Sequence, residues 1–241
     1  MDVDRGFWRS GNLPTLASAF FYFDFSFMVW YLLGPLQIQV AGTLELTTQQ
    51  RAMMVAVPIL AGALIRLPMG MLADRIGARR TGLLGQASVI ATLLVTWQVG
   101  IHSLHQAFVF GVFLGVAGAS FAVALPLASR WHPPRHQGTA MGIAGAGNSG
   151  TVLAALFASV VATVFGWQSV FGLACVPLAC VFLFYAACAK DAPGAVQHKR
   201  VRDYLRMPGN RDAWWFMCFY ALTSRGAGAQ RGRARPRGSS S

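Results

Sequence analysis

The sequence predicts an all-α polytopic membrane protein: a six-helix transmembrane bundle followed by the start of a seventh helix. Three observations carry that prediction. The 241 residues are 55% hydrophobic and 12% charged, about half the charged fraction of a soluble domain, and the mean hydropathy is +0.48. Six apolar runs approach or exceed the ~20 residues that cross a bilayer. The formal charge of +12 would point to nucleic acid in a soluble chain, but here it sits mostly in the polar links between the runs.

Taken in order, residues 1–12 are polar. The first span runs from Thr15 to about Gln39, with FFYFDFSFMVWYLLGPL at its centre, so Asp24 is embedded among aromatics. That run is too long for a signal-peptide h-region and lacks an A-x-A site before the next polar stretch, so no cleavable signal is expected. In the link from Gly42 to Arg51, Thr47-Thr48-Gln49-Gln50 reads as a capping box opening the second span. The second span runs to Ala73 and holds Pro58 and Pro68 as expected kinks. The third covers Thr81 to Val99, a turn spans His102 to His105, and the fourth covers Ala107 to Ala128. After the tight link SRWHPPRHQG come a fifth span, Thr139 to Phe165, and a sixth, Ser169 to Ala189.

The domain plan is therefore a six-helix bundle over 1–189, a basic inter-half linker over 190–212, an incomplete seventh span over 213–223 and an Arg/Gly/Ser-rich tail over 224–241. The seventh run, AWWFMCFYALT, is about half a crossing. The tail, SRGAGAQRGRARPRGSSS, holds five of the twenty basic residues. It resembles a disordered arginine–glycine segment, but it cuts a span in mid-helix, and a change of reading frame explains that break more simply. Lys and Arg set the orientation. Links on the N-terminal side carry Arg5, Arg9, Arg75, Arg79, Arg80, Arg130, Arg135, Lys190, Lys199, Arg200, Arg202, Arg206 and Arg211, whereas the opposite side holds Arg51 alone. The N-terminus and the linker are thus expected in the cytoplasm. Six spans, short links and a longer basic link before a new span make half of a two-fold-repeated carrier plan, with substrate bound at mid-membrane between two rocking bundles.

Within that plan Arg66 is the residue most in need of a reason. An arginine in a span costs about 2.5–3.5 kcal/mol on insertion scales, so it faces a cavity or a partner. Its planar, five-donor fork matches a small oxyanion. Three readings stay open: an anion site, an ion pair with Asp24 at similar depth, and snorkelling to a surface roughly 11 Å away along the helix. The fifth span carries Gly142, Gly145, Gly147 and Gly150, and its residues 145–150 spell G-x-G-x-x-G. The dinucleotide fingerprint needs a preceding strand and an acid about 20 residues on; the segment is instead span-length and apolar, with Gln168-Ser169 in the acid's place. Small residues at this spacing let a neighbouring helix approach closely in lipid. Asn148 among them is either interhelical glue or a donor to an anion.

The pairs His102/His105 and His132/His136 have spacings that suit metal only on a helix, and a turn and two prolines deny them one; they read as solvated loop residues. Cys175, Cys180, Cys188 and Cys218 lie in apolar runs with no C-x-x-C pair and read as small apolar side chains. No Ser–His–Asp set, paired carboxylates or phosphate loop is present. The expectation is a non-enzyme with no catalytic residues, no metal and no cofactor.

The segment Gly70-Met-Leu-Ala-Asp74-Arg75-Ile-Gly77-Ala-Arg79-Arg80 closely resembles the link motif of the major facilitator superfamily, which is silent on substrate. MGIAGAGNSGT in the fifth span resembles the glycine-rich signature of the nitrate/nitrite porter family, as do FDFSFMVWYLLGPL and DAWWFMCFYALT. The likeness runs from about Leu16 to Thr223. It implies nitrate or nitrite as substrate, gripped by Arg66, with Asn148 nearby, Phe121 packing against the anion and Tyr220 donating a hydroxyl. Gly70, Asp74, Arg75, Gly77, Arg79 and Arg80 would belong to a cytoplasmic gating latch.

The resemblance further implies rocker-switch alternating access across the bacterial cytoplasmic membrane, by anion exchange or proton symport. Asp24, the carboxylate within a span, is then the candidate proton-coupling group. The family's second arginine, on an eighth span, and second glycine signature, on an eleventh, have no counterpart here. The chain as given is therefore expected not to transport alone, and a second polypeptide would have to supply the missing half. The partners implied are a small inorganic anion, protons and the bilayer, and not nucleic acid. A non-transporting six-span scaffold, or a facilitator for another small anion, is the competing reading.

Overall fold

A computed structural model of the protein describes residues 7–193 and 215, apart from the side chains at 9, 147 and 148. The chain divides into two units, Met1–Gln197 and His198–Ser241, and the helices below all belong to the first. Of the second, Trp215 alone is described, and it is exposed. Tyr220, Cys218, the tail, and all but the first residues of the linker lie outside the described residues.

Six segments among the described residues are long and apolar enough to cross a membrane, and the elements are helical throughout. Span 1 is α1 (Leu13–Trp30) with α2 (Leu33–Thr43), span 2 is α3 (Thr48–Ile76), and span 3 is α4 (Ala78–Val99). Span 4 is α5 (Leu104–Gly118) with α6 (Phe121–Ser129). Span 5 is α7 (Pro134–Gly145), a 3-10 turn (Ala146–Ser149) and α8 (Gly150–Phe165), and span 6 is α9 (Ser169–Cys188).

The local chemistry explains the starts and stops. Asn12 caps α1, its side chain accepting the Thr15 N–H at 3.1 Å. The predicted capping box opens α3: Gln50 N–H donates to Thr47 Oγ1 at 3.3 Å, and Thr47 N–H to Gln50 Oε1 at 2.9 Å. Gly77 stands between α3 and α4 at φ +94°, a conformation that an L side chain adopts only at a cost. The helix α3 runs through Pro58 and Pro68 without a break.

The predicted first, fourth and fifth spans each form one membrane-length segment, but within each the regular α-helix is interrupted by a tighter turn in which the backbone stays right-handed. The interruptions fall at Tyr31–Leu32, at Ala119–Ser120 and at Ala146–Ser149. The last two follow the glycine-rich stretches GVAG and GIAG, where each glycine weakens a helix by about 1 kcal/mol relative to alanine.

Span 1 is the most enclosed of the six. Around it, α3 and α5 meet almost backbone to backbone: a Cβ on Gly115 would lie 2.6 Å from Ala61 Cβ and 2.8 Å from Gly62 N. That closeness supplies the van der Waals contact that holds helices together in lipid. On α4 and α9, Gly82 makes room for Tyr185 and Gly172 for Trp97. Leu60, Leu64 and Leu67 on α3 and Val176 and Leu183 on α9 are exposed, as lipid-facing side chains should be.

One expectation is corrected. His132 is not a solvated loop residue: it is 3% exposed, its ring stacks on Phe7 at 5.0 Å, and its Nδ1 lies 3.0 Å from Ala128 O. The short turn Phe7–Arg9 folds against the link after span 4 and covers it; His136 is half-buried in contact with the same ring. His102 and His105 are exposed. Cys175 is buried, Cys180 exposed and Cys188 between.

Candidate functional site: a boxed arginine beside interrupted spans

Arg66 lies on α3 and is half-buried. Its Cζ stands 5.4 Å from the Phe121 ring centroid and 5.6 Å from that of Trp30, distances at which a cation is attracted by the ring faces. Its Nε–H donates to Gly118 O at 3.3 Å. Gly118 is the last residue of α5 and Phe121 the first of α6, so the break in span 4 supplies both a carbonyl and an aromatic wall. Side chains from spans 1, 2 and 4 therefore meet around one guanidinium. Of the alternatives left open for Arg66, the ion pair with Asp24 does not occur among the described residues, where the ion pair recorded is Arg130–Asp74.

Trp30 starts a chain of rings. Trp30 and Phe27 lie 4.9 Å apart, Phe27 and Phe23 4.2 Å, and Phe23 and Phe121 5.7 Å. Beyond Phe121 an open recess of about 320 Å³ is lined by Ala122, Leu125, Pro126, Ser129, Arg130 and Met141. The recess runs along α6 from Phe121, whose other side faces Arg66, to Arg130.

Asp24 is 5% exposed and accepts a hydrogen bond from Ser149 Oγ at 2.7 Å. Ser149 ends the 3-10 turn of span 5, and Gly150 follows it against the α1 backbone: a Cβ there would lie 1.9 Å from Asp24 O and 2.9 Å from Met28 N. Of the glycines expected in a packing seam, Gly150 makes the close contact. Among the described residues no atom of a neighbouring element comes within 4 Å of a Cβ placed on Gly142 or Gly145. Gly147 and Asn148 lie in the 3-10 turn, but the Asn148 side chain is outside the described residues.

At the end of the bundle near the N-terminal turn, the link motif is tied down by two carboxylates. Arg130 Nη2 donates to Asp74 Oδ1 at 2.7 Å, joining span 4 to span 2. Asp191 Oδ1 accepts the backbone N–H of Arg79 at 3.0 Å, placing a negative charge at the positive N-terminus of α4. Arg79 Nη2 donates to Ala186 O at 2.7 Å, and Tyr185 Oη to Ala78 O at 3.2 Å. Asp191 occupies the room that a side chain on Gly77 would need. A Cβ added to Gly70 would lie 3.9 Å from Ala122 Cβ, an ordinary contact, while Arg75 and Arg80 are exposed.

The structure thus brings Arg66 and Phe121 together, gathers Gly77 and Arg79 around Asp191, and sets Asp24 beside Gly150. It does not join Arg66 to Asp24. Sequence reasoning missed Trp30, Gly118, Arg130, Ser149 and Asp191. For the carboxylates a signal existed: eight acids against twenty bases make each acid a sought partner. Nothing in the sequence pairs Trp30 with glycines on two other spans.

Six membrane-length helices with an arginine sheltered between three of them define a polytopic membrane protein. The chain belongs to the Major Facilitator Superfamily, whose profile matches residues 18–229. It is 33% identical over 187 residues to the Mycobacterium tuberculosis protein named "Probable nitrate/nitrite transporter NarK2", covering 76% of this chain and 47% of the relative. It is 30% identical over 198 residues to the "Nitrite extrusion protein" of Bacillus subtilis, covering 82% and 49%. With the "Probable nitrate transporter NarT" of Staphylococcus carnosus it shares 30% identity over 167 residues, covering 68% and 42%. The chain spans about half the length of these relatives.

Proposed function

We propose that this chain forms one wall of a nitrate/nitrite pathway across the bacterial cytoplasmic membrane, with Arg66 as the anion-binding cation. The observation that carries the reading is the boxed guanidinium. Arg66 is held by two rings and one carbonyl, with no carboxylate paired to it among the described residues, and one of those rings, Phe121, lines an open recess. A cation so placed keeps hydrogen-bonding capacity for a ligand, and a planar monoanion suits a planar fork. Phe121 is the aromatic wall on one side. Asn148 and Tyr220 are neutral donors in this reading, and Gly142, Gly145, Gly147 and Gly150 shape span 5 beside the path. The names of the relatives support the choice of anion.

Transport follows the rocker-switch scheme, in which two bundles rock about the bound ion. The six described spans make one bundle; in this reading it binds the anion, and a second bundle supplies the facing wall. Asp74 with Arg130, and Arg79 with Asp191, form the latch on the cytoplasmic side, the side assigned by the basic links. Asp24, buried and engaged by Ser149, is the proton-coupling carboxylate. In a transport-competent assembly containing this bundle, Asp24→Asn is expected to remove the pH dependence of nitrate uptake; unchanged pH dependence rules the proton role out.

The test of the anion site is nitrate-dependent thermal stabilisation of the purified chain in detergent. Nitrate stabilises the wild type and loses its effect in Arg66→Lys, because an ammonium cannot reproduce the fork. A response to another small anion instead of nitrate makes the protein a different facilitator. No response to any anion overturns the anion site and favours a membrane scaffold or an inactive fragment.

A further inference from the structure

We infer that Trp30 is the positioning residue for the Arg66 fork, and that Gly118 exists to let it reach that place. The inference rests on the anion reading of Arg66 given above. Trp30 is 7% exposed and is fixed from three sides. Its indole N–H donates to Pro58 O at 2.8 Å. A Cβ on Gly118 would lie 2.4 Å from its ring, and one on Gly62 2.9 Å away, so both positions must lack a side chain for the indole to lie between α3 and α5. Pro58, Gly62 and Arg66 are spaced four residues apart on α3, one above another on the same helix face. The indole is thus anchored by the helix that carries the arginine.

Gly118 serves twice. Its missing side chain admits the indole, and its carbonyl accepts Arg66 Nε–H. With Nε occupied, the two terminal amino groups are the edge of the guanidinium that meets a ligand. Trp30 on one side and Phe121 on another restrict the rotations that would turn that edge away. Ordering the fork before the anion arrives removes an entropic cost from binding. Trp30 therefore acts on the anion through Arg66, without having to touch it.

The experiment measures the nitrate concentration giving half-maximal thermal stabilisation, using the full chain in detergent. Trp30→Leu and Gly118→Ala are each expected to raise that concentration about tenfold, the effect of losing a desolvated cation–ring contact. Trp30→Phe, which keeps a ring face, recovers most of the loss. Trp97→Leu is the matched control: Trp97 packs on Gly172, and its loss lowers the melting temperature without moving the nitrate midpoint. Should Trp30→Leu fail to fold, the Gly118→Ala midpoint decides, since that variant displaces the ring without deleting it. An unchanged midpoint in the Trp30 and Gly118 variants, with the response abolished in Arg66→Ala, overturns the inference and leaves the anion site standing. No nitrate response in the wild type, or a full response in Arg66→Ala, overturns the anion reading and this inference together.

Discussion

At Gly150 a single methyl group decides whether two helices can meet. The Cβ of an alanine there would fall 1.9 Å from Asp24 O, against backbone that cannot step aside as a flexible side chain would. Gly150→Ala is expected to cost about 3 kcal/mol or more, at the upper end of overpacking penalties. It should also detach Ser149 from Asp24. Gly142→Ala is its opposite: no described neighbouring element approaches the position, and the helix-propensity gain of about 1 kcal/mol is what remains. Melting of the two variants in detergent checks the pair. Equal losses would show that the seam is not where the structure places it. The same residue scale explains Arg66, whose desolvation is offset by ring faces and a carbonyl rather than by Asp24.

At the scale of the element, the start of α4 depends on a residue that is distant in the chain. Asp191 caps it by accepting the Arg79 N–H, more than a hundred residues on. Removing the carboxylate in Asp191→Ala is expected to cost about 1 kcal/mol, reduced from the usual value of a charged hydrogen bond because the site is partly exposed. Hydrogen exchange should rise over the first turn of α4 and stay unchanged at its far end. Protection unaltered at Arg79 and Arg80 would mean the cap contributes nothing. Gly77→Ala should loosen the same turn more strongly, because it adds a strained φ to displacement of Asp191.

Elements also show what could be read in advance. Span lengths, the capping box at Thr47 and Gln50, and the link motif were legible because each is a local pattern of adjacent residues. The breaks in spans 1, 4 and 5 were not, since hydropathy is blind to whether an apolar run is one helix or two. For Trp30, the partners Gly62 and Gly118 sit on other spans, and a glycine's value as empty space appears only when something fills it. Burial of His132 escaped for a similar reason: Phe7, which covers it, lies in a polar N-terminal stretch with no helical period.

For the whole molecule, the distribution of charge and space sets a direction. One end of the bundle gathers Asp74, Arg130, Arg79 and Asp191 into contacts that bind spans 2, 3, 4 and 6. The recess on α6 extends from Arg130 at that end to Phe121, the ring that stands against Arg66. In the proposed carrier it is an aqueous path by which the anion reaches the guanidinium. The most direct test uses Ala122, which lines the recess next to Phe121. Ala122→Cys, in a chain whose native cysteines are replaced by alanine, would be reacted with a charged, membrane-impermeant thiol reagent. Nitrate is expected to slow the labelling severalfold, with the protection lost when Arg66→Lys is added. A thiol inert to the aqueous reagent, or one labelled at the same rate with and without nitrate, would contradict an anion path ending at Arg66.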